Sequence, residues 1–331
     1  MDKPDIIDIH IHLCRDTQQE KLVFPKTGWP DEWYWASPDK VIPYMDARGV
    51  SHVATMNIID TGRMVEMRVT RARAQGANDQ AIAEARVTLA EDMRQRARAF
   101  NDTMCEAAAR EPRIIPYVMV DPILFGKDVI GELDRCIAMG AKGVKVHPTI
   151  CGHFPDHPNM MPVYERCQEA GLGVLTDSTS HASADGSLYG VPLGWRPVLK
   201  AFPHLKFIMA HLCDEMWDDR LDLAREFSDN LWFDMSGGIV DAHHPAGGHS
   251  MMSGAQAPRV FRKIGVERIM FGSDAMIWPD AIPFAIDAIQ RAPFLSAQEK
   301  RDILYNNAAR YLRLDTRHGA PVVGRRQPND R

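Results

Sequence analysis

Residues 5–13 read Asp5-Ile6-Ile7-Asp8-Ile9-His10-Ile11-His12-Leu13. Isoleucines alternate with Asp8, His10 and His12, the period of a buried strand. Side chains two apart on a strand share a face, so both imidazoles are expected on one side and the isoleucines on the other. Two neutral imidazoles about 7 Å apart along the strand can converge on a single divalent cation. Taken alone, the pattern fits equally well a strand with two hydrogen-bonded histidines on a polar face. The rest of the chain decides between these.

Seven further segments read as short strands: 50–58 (VSHVATMNI), 113–120 (RIIPYVMV), 142–147 (KGVKVH), 172–177 (LGVLTD), 206–211 (KFIMAH), 231–235 (LWFDM) and 268–274 (RIMFGSD). Helical patterns stand between and after them, at 39–47, 81–110, 128–139, 162–170, 197–202, 220–227, 258–264, 281–290 and 296–312. In 81–110, Ile82, Ala85, Leu89, Met93 and Phe100 mark the buried stripe. The alternation predicts an α/β fold, a (β/α)8 TIM barrel formed as a single domain over residues 1–314. In such barrels the reactive groups sit at the C-terminal ends of the strands. His10, His12, Lys145, His147, Asp177, His211 and Asp274 all occupy that position, which unrelated core residues would not be expected to do.

Composition narrows the function classes. With 45% hydrophobic and 25% charged residues, the 331-residue chain reads as soluble and globular, with ample material for a core. A net charge of −5 and a pI near 6.2 give no reason to expect nucleic acid or an anionic membrane as partner. No apolar run approaches the roughly 18 residues of a membrane span, and the acidic N-terminus does not read as a signal peptide, so none is expected. Cys14, Cys105, Cys136, Cys151, Cys167 and Cys213 form no Cys-x-x-Cys pair. A reducing, cytoplasmic setting is expected.

Residues 13–37 read as an irregular aromatic insertion carrying Phe24, Trp29, Trp33, Tyr34 and Trp35. It packs against the barrel rim or a partner subunit, or else covers the site as a lid. Residues 315–331 are polar, with Gly and Pro, and are expected to be a disordered tail. His153, His157, His181, His243, His244 and His249 fall in loops on the rim and are expected mostly at the surface. His52 and His204 read as structural.

His10-x-His12, the GVKVHP run at 143–148, AHL at 210–212 and GSDA at 272–275 together resemble the amidohydrolase superfamily. WRPVLKAFPHLKFIMAHL at 195–212, followed by WFDMS at 232–236, is similar to the branch containing the aminocarboxymuconate-semialdehyde and resorcylate decarboxylases and related hydrolases and hydratases. The resemblance covers residues 5–312. It implies a divalent transition metal (Zn, Mn or Fe) at the barrel mouth, held by His10, His12 and Asp274. His211 is then a second ligand position or a group that polarises substrate. One ion is expected, with two as the alternative.

Two departures from that pattern alter the expected donor set. Where the branch has a metal-binding histidine after strand five, this chain has Asp177, in VLTDST at 174–179. Asp177 is therefore expected as a ligand, with His181 close enough in sequence to replace the missing imidazole. Where the branch has small residues after the strand-six histidine, this chain has Cys213-Asp214-Glu215, so Asp214 and Glu215 join His147 and His181 as additional candidates. An oxygen-rich set suits Mn²⁺ or Fe²⁺ better than an imidazole-only one. Lys145 resembles either the carboxylated bridging lysine of dinuclear members or a charge partner for a substrate carboxylate.

The expected function is that of a metal-dependent hydrolase or non-oxidative decarboxylase acting on a small carboxylated substrate, with Asp274, His211 and Lys145 as catalytic groups. A dinuclear non-haem iron or manganese oxygenase is one alternative. A non-catalytic partner subunit with a vestigial metal site is another. The resemblance also implies a homo-oligomer, or a hetero-oligomer with a related subunit.

Overall fold

The computed structural model describes residues 5–24, 29–183, 185–212, 216–236, 252–276 and 281–314. Eight strands form one sheet in chain order: β1 (Ile6–His12), β2 (Val50–Met56), β3 (Ile114–Met119), β4 (Gly143–Val146), β5 (Gly173–Thr176), β6 (Lys206–Met209), β7 (Leu231–Asp234) and β8 (Ile269–Met270). Each pair of neighbours in that order is parallel. The last strand returns to the first, where Ile11 bridges Ala275 in parallel and the Ile9 amide donates to the Phe271 carbonyl at 3.1 Å. With helices between the strands, this is the expected (β/α)8 barrel. No helix of the described residues is long and apolar enough to cross a membrane.

Alternation divides the strand side chains between two cores. Leu175, Ile208, Tyr117 and Met270 fill the barrel with Ala308 and Tyr311. Val144, Val146, Phe207, Phe233 and Phe271 pack outward against helix residues such as Met93, Leu133, Val163 and Phe261. Gly143 and Gly173 start β4 and β5 because no side chain fits there. A Cβ on Gly143 would lie 2.2 Å from the Tyr117 ring, and one on Gly173 would lie 2.3 Å from the Tyr311 hydroxyl.

Three expectations need correction. In β1 the isoleucines do not share a face, because Ile7 and Ile9 join the inner core and Ile6 and Ile11 the outer one. The β1–β2 register shifts between Ile6 and Ile7 and again between Asp8 and Ile11. Asp8 secures the irregularity, its Oδ1 accepting from the His10 amide at 3.0 Å and the Ser273 amide at 3.1 Å. β8 is also far shorter than 268–274, because beyond Met270 the chain bonds to β1 irregularly and Asp274 takes a φ of 55°. Finally, the 13–37 segment is not irregular throughout. It carries the helix Thr17–Val23, started by Asp16, whose Oδ1 accepts from the Gln19 amide at 2.7 Å, and the short 3-10 turn Asp31–Trp33. The tail at 315–331 lies outside the described residues.

Candidate metal centre

His10 and His12 point into the C-terminal mouth, their ring centroids 5.7 Å apart, and Asp274 meets them from beyond β8. Asp274 Oδ1 lies 3.1 Å from His12 Nε2 and 3.4 Å from His10 Nε2. All three residues are buried. A tetrahedral ion with bonds of about 2.0–2.2 Å holds its donors about 3.3–3.6 Å apart, so this N, N, O set fits a divalent transition metal. The backbone is bent to make the set. Asp274 sits in the left-handed region, which costs an L-residue roughly 1–2 kcal/mol, and its amide is held by the His10 carbonyl at 2.8 Å.

A second group stands beside the first. Asp177, just past β5, places Oδ1 3.5 Å from His147 Nε2 and 3.3 Å from His211 Nε2. His211 leaves β6 with a φ of 64° and turns its ring to within 5.4 Å of the His10 ring. Lys145 links the two groups, its Nζ 3.2 Å from His10 Nε2. All seven strand-end residues singled out in the sequence therefore form one connected cluster. His181 does not join it; it is exposed. Asp214 and Glu215 lie outside the described residues, as do His243, His244 and His249.

Electrostatics sort the cluster into lone pairs, anions and one proton store. Burial, with Lys145 beside it, pushes His10 down to about 4, so it is neutral near pH 7. Its Nδ1 faces Asp234 Oδ2 at 3.0 Å, which puts the ring proton there and turns the Nε2 lone pair toward Asp274. Burial opposes ionisation of Asp274, yet the charge of protonated His211 and the hydrogen bond with His12 outweigh it and hold the carboxyl well below its usual range. Asp177 is held low in the same way, against burial, by the hydrogen bond and charge of His211 and by the charge of Lys145. Burial would lower His211, but the Asp177 hydrogen bond and the nearby carboxylates raise it to about 9. His147 falls to about 4 through burial. Burial also pulls Lys145 below its ordinary value, against the attraction of Asp177, Asp274 and Asp234.

Sequence reading missed the supports. Asp234 is fully buried at the end of β7. Its Oδ1 accepts from the His211 amide at 3.1 Å and the Ser236 amide at 2.9 Å, so one carboxylate orients two histidines. Ser236 Oγ lies 2.9 Å from His10 Nδ1. The strand-end rule would have found Asp234 had strand seven been ended one residue earlier. His153, expected at the surface, is 3% exposed. Of the aromatic segment, Phe24 reaches the centre, its ring 5.5 Å from that of His12, whereas Trp35 stacks on Tyr44 at 3.6 Å.

Residues 7–314 match the amidohydrolase family model. No curated protein sequence matches the chain. Among solved structures, 2,6-dihydroxybenzoate decarboxylase from Rhizobium is similar at 16% identity with a TM-score of 0.63, over 95% of this chain and 99% of that one. The 5-carboxyvanillate decarboxylase of Sphingomonas paucimobilis is similar at 16% identity and a TM-score of 0.62, over 94% and 99%. A dihydroxybenzoic acid decarboxylase from Polaromonas sp. JS666, with bound manganese and an inhibitor, matches at 18% identity and a TM-score of 0.60, over 94% and 97%. At such identities the likeness is one of fold.

Proposed function

Since the chain belongs to the amidohydrolase family, we propose that it is a metal-dependent hydrolase or carboxy-lyase acting on a small carboxylated substrate at the barrel mouth. The observation that carries this reading is the approach of His10 Nε2 and His12 Nε2 to Asp274 Oδ1, at 3.4 and 3.1 Å. These three residues would hold the ion, which when bound supplies a Lewis acid able to lower the pKa of a water ligand to about 7. Asp234 fixes the His10 tautomer through Nδ1. Lys145, buried between Asp274 and Asp177, is suited to receive a substrate carboxylate. His211, kept protonated by Asp177, can hand a proton to a leaving group or a developing carbanion. Phe24 lies against His12, where it limits water and offers an apolar surface.

The second donor set favours an alternative. Asp177 with His147 and His211 is another N, N, O group, and two ions would suit a dinuclear iron or manganese oxygenase. Elemental analysis after metal-replete expression separates the readings. One ion at the barrel mouth, lost in His10→Ala, with carboxylate-dependent turnover or CO₂ release, supports the hydrolase or carboxy-lyase. Two redox-active ions with oxygen consumption support the oxygenase. A folded chain that binds no transition metal at the barrel mouth would overturn both.

A further inference from the structure

Beside the barrel mouth, a separate group of donor side chains meets in the interior. Asp121 follows β3 and starts the turn Pro122–Phe125, while Cys151 and His153 end the loop after β4. Gly152, with a φ of 73°, reverses the chain between them, and the amides of Gly152 and His153 both reach the Pro148 carbonyl, at 2.8 and 3.2 Å. That reversal directs the thiol and the imidazole toward Asp121, and one donor atom from each of the three lies within 4.8 Å of the others. Asp121, Cys151 and His153 are 0%, 7% and 3% exposed. We propose that these three residues form a second, thiolate-containing metal site suited to zinc.

The chemistry of each donor is consistent with that role. Asp121 Oδ1 is committed to the amides of Ile123 and Leu124, at 2.7 and 3.3 Å, which leaves Oδ2, 3.5 Å from Thr61 Oγ1. His153 Nδ1 faces the Phe154 carbonyl at 2.9 Å, so the ring proton sits there and the Nε2 lone pair is available. The Cys151 thiol is hydrogen-bonded to the Asp121 carboxylate. Metal binding replaces that shared proton: the S–H bond breaks, the proton passes to solvent, and the thiolate and carboxylate both turn to the cation. Thiolate, imidazole and carboxylate on one ion is a zinc-type set, drawn together by up to about 1 Å from the observed spacing. Cys151 and Thr61 also line a cleft of about 620 Å³, together with Glu66, which gives the ion an entry path and a fourth ligand from water. The site does not depend on the proposed reaction.

Cobalt is the probe, because a thiolate ligand to Co²⁺ gives a near-ultraviolet charge-transfer band that nitrogen and oxygen ligands do not. Metal-free full-length protein titrated with Co²⁺ should develop that band, and Zn²⁺ should abolish it. Cys151→Ser should remove the band, while Cys136→Ser and Cys213→Ser should keep it. His153→Ala should weaken Co²⁺ binding by tenfold or more as read by the same band, and it carries the test if Cys151→Ser fails to fold. Absence of the band in the wild-type protein, its persistence in Cys151→Ser, or its loss in Cys213→Ser would each overturn the assignment. In those cases the three residues would be a buried hydrogen-bond network or the thiolate would belong to the barrel mouth.

Discussion

Asp274 draws two imidazoles to one carboxylate oxygen, and its negative charge is what an ion at the mouth would need most. Asp274→Asn keeps the shape and removes the charge and proton acceptor. Activity is expected to fall by a factor on the order of 10² or more, with circular dichroism unchanged. Full activity with metal bound would show that Asp274 is neither base nor essential ligand. Asp234 acts at one remove. Its Oδ1 is committed to two amides, so in Asp234→Asn the side-chain nitrogen takes the place facing His10 Nδ1. The ring proton then moves to Nε2, and metal affinity should drop about 10–100-fold by competition against a chelating dye. Unchanged affinity would mean that the tautomer is set elsewhere. At this scale the sequence was legible wherever a residue bears recognisable chemistry at a strand end, as His10, Lys145 and Asp274 do. Asp234 and Ser236 were not, because nothing in their local sequence announces which ring they orient.

Elements were legible where hydrophobic period and punctuation agree. The turn-forming run Gly76-Ala77-Asn78 separates the helices Thr61–Ala74 and Asp79–Arg110, and the Asn78 side chain caps the second. The irregularity of β1 was hidden because it arises from a contact with Ser273, at the far end of the chain. The floor of the barrel depends on two glycines, and Gly143→Ala would drive a methyl into the Tyr117 ring. A loss of about 1–3 kcal/mol is expected in urea unfolding, and equal stability would show that the ring can move aside. The helix Thr17–Val23 buries Glu20, whose Oε1 accepts from the Ala36 amide at 3.1 Å. Burial raises Glu20 to about 7 from its ordinary 4.5, against that bond and the charge of Lys40. The folded state therefore holds this proton more tightly than the unfolded chain, and stability contributed by the neutral carboxyl is lost as pH rises from 4.5 through about 7. Thermal melts of Glu20→Gln should match wild type near pH 4.5 and gain on it by about 2 °C or more at pH 8. A constant difference across that range would place the titration elsewhere.

For the whole molecule, eight apolar runs at steady spacing made the barrel legible, since a closed parallel sheet with helices outside buries all eight short strands at once. Nothing local revealed how the sheet closes. Among the described residues the seam between β1 and β8 shows no long ladder; its bonds are few, including Ile9 to Phe271 and Asp274 to His10. His12 and Asp274 stand 262 positions apart on either side of it. An ion held there would be a clasp, tying the first strand of the barrel to the segment that follows the last and closing a loop of 262 positions. Loading would have to wait until the whole barrel is assembled, and removal would loosen one line of the wall before the rest. Chelation should therefore speed hydrogen exchange at the Ile9 and Asp274 amides while leaving the Phe207 amide, bonded to Asn230 at 2.8 Å between β6 and β7, protected as before. Uniform acceleration would mean that the wall opens as one piece, and that the seam is no weaker than any other pair of strands.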